Sequence, residues 1–212
     1  MYKLFYNPGM ASLAPHIALE EIGADYELVR VDTAAGEHRT AAYLALNPTG
    51  RIPTLLEGGQ PVFETAAILL YLADRHPEAG LIPAVGTMER GLACQWLVHL
   101  ANTVHPAFVC FYYPERHVAD PANVADVKAT AEQRLNLMFD LLDAELEKRN
   151  WLGGDAYGVA DIFLFMMVRW GRNFQHRPPR LLPNLGAHAA RMMSRPAVRR
   201  AFEREGLAEP YF

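Results

Sequence analysis

Asn47-Pro48-Thr49-Gly50-Arg51-Ile52-Pro53, followed a few residues later by Glu64-Thr65, is the stretch that decides the fold. A turn, a short apolar segment ending at a proline, a hairpin pattern and a helix start succeed one another here. Ile52-Pro53 is a candidate cis bond, which for X-Pro costs only ~1 kcal/mol. In that form the Ile52 N–H and C=O would turn outward, free to pair with an extended peptide as a sheet edge does. Glu64-Thr65 would sit at a helix N-terminus, where free N–H groups and the helix dipole attract a carboxylate. One site thus combines a backbone ladder with a carboxylate trap.

Working outward toward the N-terminus, the pattern alternates. Tyr2 to Tyr6 reads as a short strand closed by Asn7-Pro8-Gly9. Ser12 to Ile22 has helical character and ends at Gly23. Tyr26 to Val31 alternates apolar and polar residues, and His38 to Leu46 is a weaker helix. Thr54-Leu55-Leu56-Glu57, Gly58-Gly59 and Pro61-Val62-Phe63 read as a hairpin with a two-residue glycine turn. Glu64 to Arg75 is a helix rich in Ala and Leu, stopped before Pro77. The order β-α-β-α-β-β-α, with a crossover first and a hairpin last, predicts a mixed four-stranded sheet with helices on its faces.

Pro77, Gly80, Pro83 and Gly86 mark a linker, and strand patterning vanishes after them. Met88 to about Tyr113 reads as one long helix ended by Pro114. Val124, Val127, Ala131, Leu135, Met138, Leu142 and Leu146 form one apolar face of a second long helix, broken at Asn150 to Asp155. Gly158 to Trp170 is apolar all round, as the buried centre of a helical bundle is. Helices near 184–193 and 196–205 follow. The expected domains are residues 1–77, α/β, and 87–212, all-helical, joined by a linker at 78–86.

Composition bounds the function. The chain of 212 residues is 51% hydrophobic with net charge −4, which excludes the basic footprint of a nucleic-acid binder. Residues up to 85 carry five Lys/Arg against ten Asp/Glu, and the remainder fifteen against fourteen, which supports a boundary near the linker. The two cysteines, Cys94 and Cys110, form no metal or redox spacing and read as buried small residues in a reducing compartment. The N-terminal apolar segment meets Asn7-Pro8-Gly9 too early for a signal peptide, and no apolar run approaches the ~20 residues of a membrane span. A cytoplasmic protein without membrane or nucleic-acid partners is expected. The histidines lack H-E-x-x-H or other ligand spacing, so no metal is expected.

The N-terminal element order, Asn47-Pro48-Thr49-Gly50-Arg51-Ile52-Pro53 and Glu64-Thr65 resemble the thioredoxin-like domain of the glutathione S-transferases. Gly153-Gly154-Asp155, Ala160-Asp161 and Arg195-Pro196-Ala197-Val198 extend the likeness over the whole chain. The loop and helix Pro8 to Leu19, with Val104-His105, look most like the bacterial beta class. That class carries a cysteine immediately before the loop serine; here the position is Ala11, so no mixed disulfide with glutathione can form there. Gly158 stands where the family places a Ser or Thr helix cap, at a cost of a few tenths of a kcal/mol.

The resemblance implies glutathione as co-substrate, a homodimer, and attack of the glutathione thiolate on a small apolar electrophile. Its alternatives are a non-catalytic glutathione or apolar-ligand binder on the same fold, and glutathione-dependent isomerisation, peroxide reduction or dehalogenation. Three residues compete as partner of the sulfur. Ser12 can cap the first helix or donate its hydroxyl to the sulfur, where the helix N-terminus also favours the thiolate. Tyr6 can pack on the core or donate its phenol, and His105 can pack on the long helix or donate from a neutral imidazole. Ile52, with Pro53, is expected to pair with the cysteinyl unit. Thr65 takes the γ-glutamyl carboxylate, Glu64 the ammonium, and Arg51 or Arg39 the glycyl carboxylate. Asp161 is structural. Met10, Phe108, Tyr112, Tyr113, Trp170 and Phe174 are expected to wall an apolar site for the second substrate, between the domains.

Overall fold

The structure, a computed structural model, describes residues 1–212. The chain divides into two compact units, Met1–Pro83 with Met193–Glu209, and Ala84–Met192 with Pro210–Phe212.

In the first unit, β1 (Tyr2–Tyr6), α1 (Leu13–Ile22), β2 (Tyr26–Arg30), α2 (Ala41–Leu46), β3 (Thr54–Glu57), β4 (Gln60–Phe63) and α3 (Thr65–Arg75) follow the expected β-α-β-α-β-β-α order. The sheet order is β2-β1-β3-β4, with β1 parallel to β2 and the other pairs antiparallel, so the sheet is mixed as expected. The register sets Leu4 opposite Leu28 and Leu55, and Leu4 and Leu55 are fully buried. Adjacent strand residues face opposite sides. Accordingly, Phe5 meets the Tyr43 ring of α2 edge-on at 5.8 Å. Gly58 and Gly59 both take positive φ (56° and 85°), the two-residue turn that suits the twist of β3 and β4.

The weak helix expected over His38–Leu46 is split. A 3-10 turn at Glu37–Arg39 is separated from α2 by Thr40, which is extended and whose hydroxyl accepts the Tyr43 N–H at 3.3 Å. A capping Thr starts a new helix there.

Helix α9 (Pro196–Arg204) packs on α1, so Met193–Glu209 clusters with the first unit and not with the helical stretch to which the sequence pattern joined it. The Arg195 guanidinium grips Glu21 with two bonds (2.6 and 2.9 Å), and Arg200 Nε donates to Glu20 at 2.6 Å.

The second unit holds α4 (Met88–His99), α5 (His105–Tyr112), α6 (Val124–Lys148), α7 (Val159–Trp170) and α8 (Pro183–Ser194). The single helix expected from Met88 to Tyr113 is interrupted by a π turn at Leu100–Val104, where the His105 N–H reaches back to the Leu100 carbonyl. Pro106 explains the wide turn, because it has no N–H to continue the regular ladder. On α6, Ala131, Leu135, Leu142 and Leu146 are buried as the period predicts, together with Phe139. Every residue of α7 from Val159 to Arg169 is buried. Asp161 is fully buried near its start and accepts N–H bonds from Leu152 (2.7 Å) and Gly158 (3.0 Å), with His188 Nε2 at 3.0 Å. The carboxylate thus holds the N-cap N–H of α7, the N3 half of a capping box, while Gly158 has no side chain to supply the other half. No helix is long and apolar enough to cross a membrane.

Candidate active site

Three segments of the first unit carry Ser12, Arg51, Ile52, Pro53, Glu64 and Thr65: the Asn7–Ser12 loop between β1 and α1, the turn from Asn47 to Pro53, and the start of α3. The loop and α3 are joined by Thr65, whose hydroxyl donates to the Ala11 carbonyl at 3.4 Å.

The turn is built by buried side chains. Asn47 is 1% exposed; its Nδ2 donates to the Arg51 carbonyl (2.8 Å) and the Thr54 hydroxyl (3.2 Å). Its Oδ1 accepts the Thr49 N–H at 3.1 Å and the Thr49 hydroxyl at 2.7 Å. The Tyr43 hydroxyl adds a second donor to the Arg51 carbonyl, at 2.7 Å. Burial pushes the Tyr43 phenol up, against the opposing hydrogen bonds of Thr54 and Asn47, so it stays a donor. Gly50 has φ 59°, and a Cβ there would lie 2.8 Å from Arg39 Nη1 and 3.1 Å from the His38 carbonyl oxygen. The Arg39 guanidinium therefore lies over the turn. Its neighbour Arg51 is exposed, with its carbonyl rather than its side chain engaged in the fold.

The Ile52–Pro53 bond is cis, as expected. Neither the N–H nor the C=O of Ile52 has a backbone partner. Glu64 occupies the N-cap position of α3 with φ 73° and makes no side-chain cap, so its carboxylate is left for another donor. The first N–H groups of α3 have no intrahelical acceptor.

Ser12 is fully buried and differs from the expected cap. It sits at the N-cap position of α1 in helical conformation without a side-chain capping bond. Its hydroxyl instead braces Asn7, donating to the Asn7 carbonyl at 3.2 Å and accepting the Asn7 N–H at 3.3 Å. Tyr6 is half-buried with its ring 6.5 Å from that of His16, and its hydroxyl has no hydrogen-bond partner in the fold. Asn7 Nδ2 in turn donates to the Thr33 hydroxyl at 2.8 Å.

In the second unit, His105 opens α5 directly after the π turn and meets Trp170 edge-on at 5.1 Å and Phe163 at 6.3 Å. Of the expected apolar wall, Phe108 and Phe174 are core residues, 1% and 3% exposed. Tyr112, Tyr113 and Trp170 retain accessible surface, and the Tyr112 hydroxyl donates to the Trp170 carbonyl. No cluster of His, Cys, Asp and Glu with metal-binding geometry is present.

The sequence assigned no role to two residues that hold the loop. Glu205, at the end of α9, accepts the Gly9 N–H at 2.7 Å, and His16 faces the same carboxylate at 2.8 Å. No local pattern pairs them, because 189 positions separate them in sequence.

The profile of the glutathione S-transferase N-terminal domain matches residues 1–74, and that of the C-terminal domain residues 100–196. The glutathione S-transferase GstA of Escherichia coli O157:H7 is 33% identical over 97% of this chain and 99% of its own length. A beta-class glutathione S-transferase structure from Sphingomonas chungbukensis superposes with TM-score 0.86 at 38% identity, covering 97% of this chain and all of that one. A sphingomonad glutathione S-transferase solved in complex with glutathione gives TM-score 0.85 at 41% identity over the same 97% of this chain and all of its own. Sequence, domain order and fold agree over nearly the full length, and this chain belongs to the glutathione S-transferase family.

Proposed function

We propose that this glutathione S-transferase holds glutathione in extended form along the Ile52 backbone and activates its thiol for attack on a small apolar electrophile. The observation that carries the reading is the pair of free peptide groups at Ile52, in the same unit as the uncapped start of α3. The cysteinyl N–H and C=O of glutathione pair with Ile52, and Pro53 fixes the shape of the turn behind it. The γ-glutamyl carboxylate sits at Thr65 and the first N–H groups of α3. Glu64 takes the ammonium, and Arg51, with Arg39 beside Gly50, takes the glycyl carboxylate.

The thiolate is stabilised by donors, not by a base, because favouring the anion is enough to create the nucleophile. Ser12, Tyr6 and His105 are the donor set. Tyr6 enters with an uncommitted O–H, whereas Ser12 must withdraw its proton from the Asn7 carbonyl. With Ala11 before it, the loop has no thiol, so the chemistry runs through the bound thiolate alone. The electrophile rests on the accessible aromatic surface of Tyr112, Tyr113 and Trp170. The enzyme works as a cytoplasmic homodimer.

Ultraviolet titration of protein-bound glutathione tests this reading. The thiol is expected to titrate well below free glutathione. Tyr6→Phe should raise it by about one unit, which is about 1.4 kcal/mol of lost thiolate stabilisation. Ser12→Ala and His105→Ala should raise it less. A bound thiol that titrates as in free glutathione would remove the catalytic reading, and three silent variants would remove the donor set.

A further inference from the structure

A chain of hydrogen bonds with no assigned role runs through the first unit from α9 to the loop. Arg200 Nε donates to Glu20 Oε2 at 2.6 Å, and Arg204 Nε lies 3.2 Å from Glu20 Oε1. Tyr26 donates its hydroxyl to the same Glu20 carboxylate. The Tyr26 oxygen stands 2.9 Å from His16 Nε2 and accepts from Arg204 Nη1 at 2.8 Å. His16 Nδ1 stands 2.8 Å from Glu205 Oε1, and Glu205 Oε2 accepts the Gly9 N–H at 2.7 Å. His16 is fully buried, and Glu205 is 6% exposed.

The protons of this chain can be counted. Burial pushes the Glu20 carboxyl up, but the Tyr26 bond and the two guanidinium groups outweigh it and hold Glu20 ionised. Glu20 is therefore an acceptor, and Tyr26 must give it the phenolic proton. The Tyr26 oxygen then has only lone pairs left for its other neighbours, so His16 Nε2 must carry a hydrogen. One further proton must lie between His16 Nδ1 and Glu205 Oε1, since two bare acceptors at 2.8 Å would repel. A buried acid in that place is held by the imidazole on one oxygen and the Gly9 amide on the other.

The loop is held at Asn7 and Met10 by Thr33, at Ala11 by Thr65 and at Gly9 by Glu205. Gly9 has φ 69°. Tyr6 immediately precedes the loop and Ser12 ends it. We infer that Glu205 and His16, with Tyr26 setting the imidazole proton, are positioning residues that tether the Gly9 amide and thereby hold the Tyr6 and Ser12 hydroxyls in place. The tether works through the hydrogen bonds on the two Glu205 oxygens. This inference rests on the assignment of those hydroxyls to the glutathione sulfur.

The count makes a specific demand of the variants. Glu205→Leu removes both acceptors. Glu205→Gln restores every bond in neutral form: its amide N–H donates to His16 Nδ1, and its carbonyl accepts the Gly9 N–H. Tyr26→Phe leaves the His16 Nε2 hydrogen buried without an acceptor. The full-length chain is examined well below each variant's melting temperature, with two readouts: hydrogen exchange of the Gly9 amide, and the thiol titration of bound glutathione. Glu205→Leu should speed Gly9 exchange and lower kcat about tenfold, the factor that one unit of thiol shift corresponds to. KM for glutathione should move less than kcat. Glu205→Gln should stay near wild type in both readouts, and Tyr26→Phe should fall between. A Glu205→Leu variant with wild-type Gly9 exchange and thiol titration overturns the tether. A Glu205→Gln variant that behaves like Leu overturns the matched-bond account. If the wild-type thiol is unshifted, the catalytic reading fails, and Gly9 exchange still decides whether the tether exists.

Discussion

The hydrogen that Gly50 carries in place of a side chain gives the turn before Pro53 room to close. Two penalties would act on a side chain there. One is conformational, since φ is 59° and left-handed backbone costs an L-residue roughly 1–2 kcal/mol. The other is steric, from Arg39 Nη1 at 2.8 Å and the His38 carbonyl oxygen at 3.1 Å. Gly36 separates the two, because its φ is 78° but nothing lies within 4 Å of its Cβ position. Gly36→Ala is expected to lower stability by about 1 kcal/mol in urea unfolding and to leave the glutathione KM unchanged. Gly50→Ala should lose more stability and raise that KM several-fold, because Arg39 and the turn must shift. Equal losses for the two variants would mean that the Arg39 contact carries no weight. The sequence makes Gly50 and Pro53 legible because each has a backbone property that no other residue shares. Asn47 is legible as a turn former only. That its amide also braces Arg51 and Thr54 depends on Thr54 starting a strand, which no local rule states.

Most elements were readable where their apolar pattern was continuous. The strands β1 and β3, bounded by turn residues, the one apolar face of α6 and the all-apolar α7 fall where the sequence puts them. The π turn at Leu100–Val104 was missed although its cause, Pro106, is plain in the sequence; an apolar helix pattern runs through it unchanged. The docking of α9 was not legible for a different reason. Arg195, Arg200 and Arg204 pair with Glu20 and Glu21 on α1, with 180 positions between Glu20 and Arg200, a separation that no local pattern spans. That docking carries a pH dependence. Glu20 is held below the ordinary carboxylate value of 4.5 in the folded chain. A depressed folded value adds stability that is complete above the unfolded value and lost as the pH falls through the folded one. The unfolding midpoint should therefore drop as the pH goes below 4.5, with α9 leaving α1. Glu20→Gln is expected to start lower at neutral pH and to show a shallower acid limb. An acid limb as steep as that of the wild type would assign the acid sensitivity to other carboxylates.

At the scale of the whole molecule, the exposed apolar side chains lead to the assembly. Val98 on α4 is 61% exposed, and Leu137 and Leu141 on α6 are 70% and 52% exposed. The two leucines stand four apart, on one stripe of the helix. The apolar face read from the sequence includes Leu135 and Leu142, which are fully buried, and leaves out Leu137 and Leu141. The α6 pattern is wider than one core-facing stripe, and the surplus leucines are left in water in the single chain. Large apolar side chains grouped on a helix surface mark an interface. A second copy of the chain is the expected cover, as a homodimer would provide. Sedimentation velocity should give twice the 23.7 kDa chain mass. The double variant Leu137→Glu, Leu141→Glu places two carboxylates where apolar contact is needed, so it should sediment as a 23.7 kDa species. Both positions are exposed in the single chain, so the variant should keep its helical circular dichroism and unfold cooperatively. A dimer that survives the double substitution would move the interface off α6, and a wild-type chain that sediments as a monomer would remove it altogether.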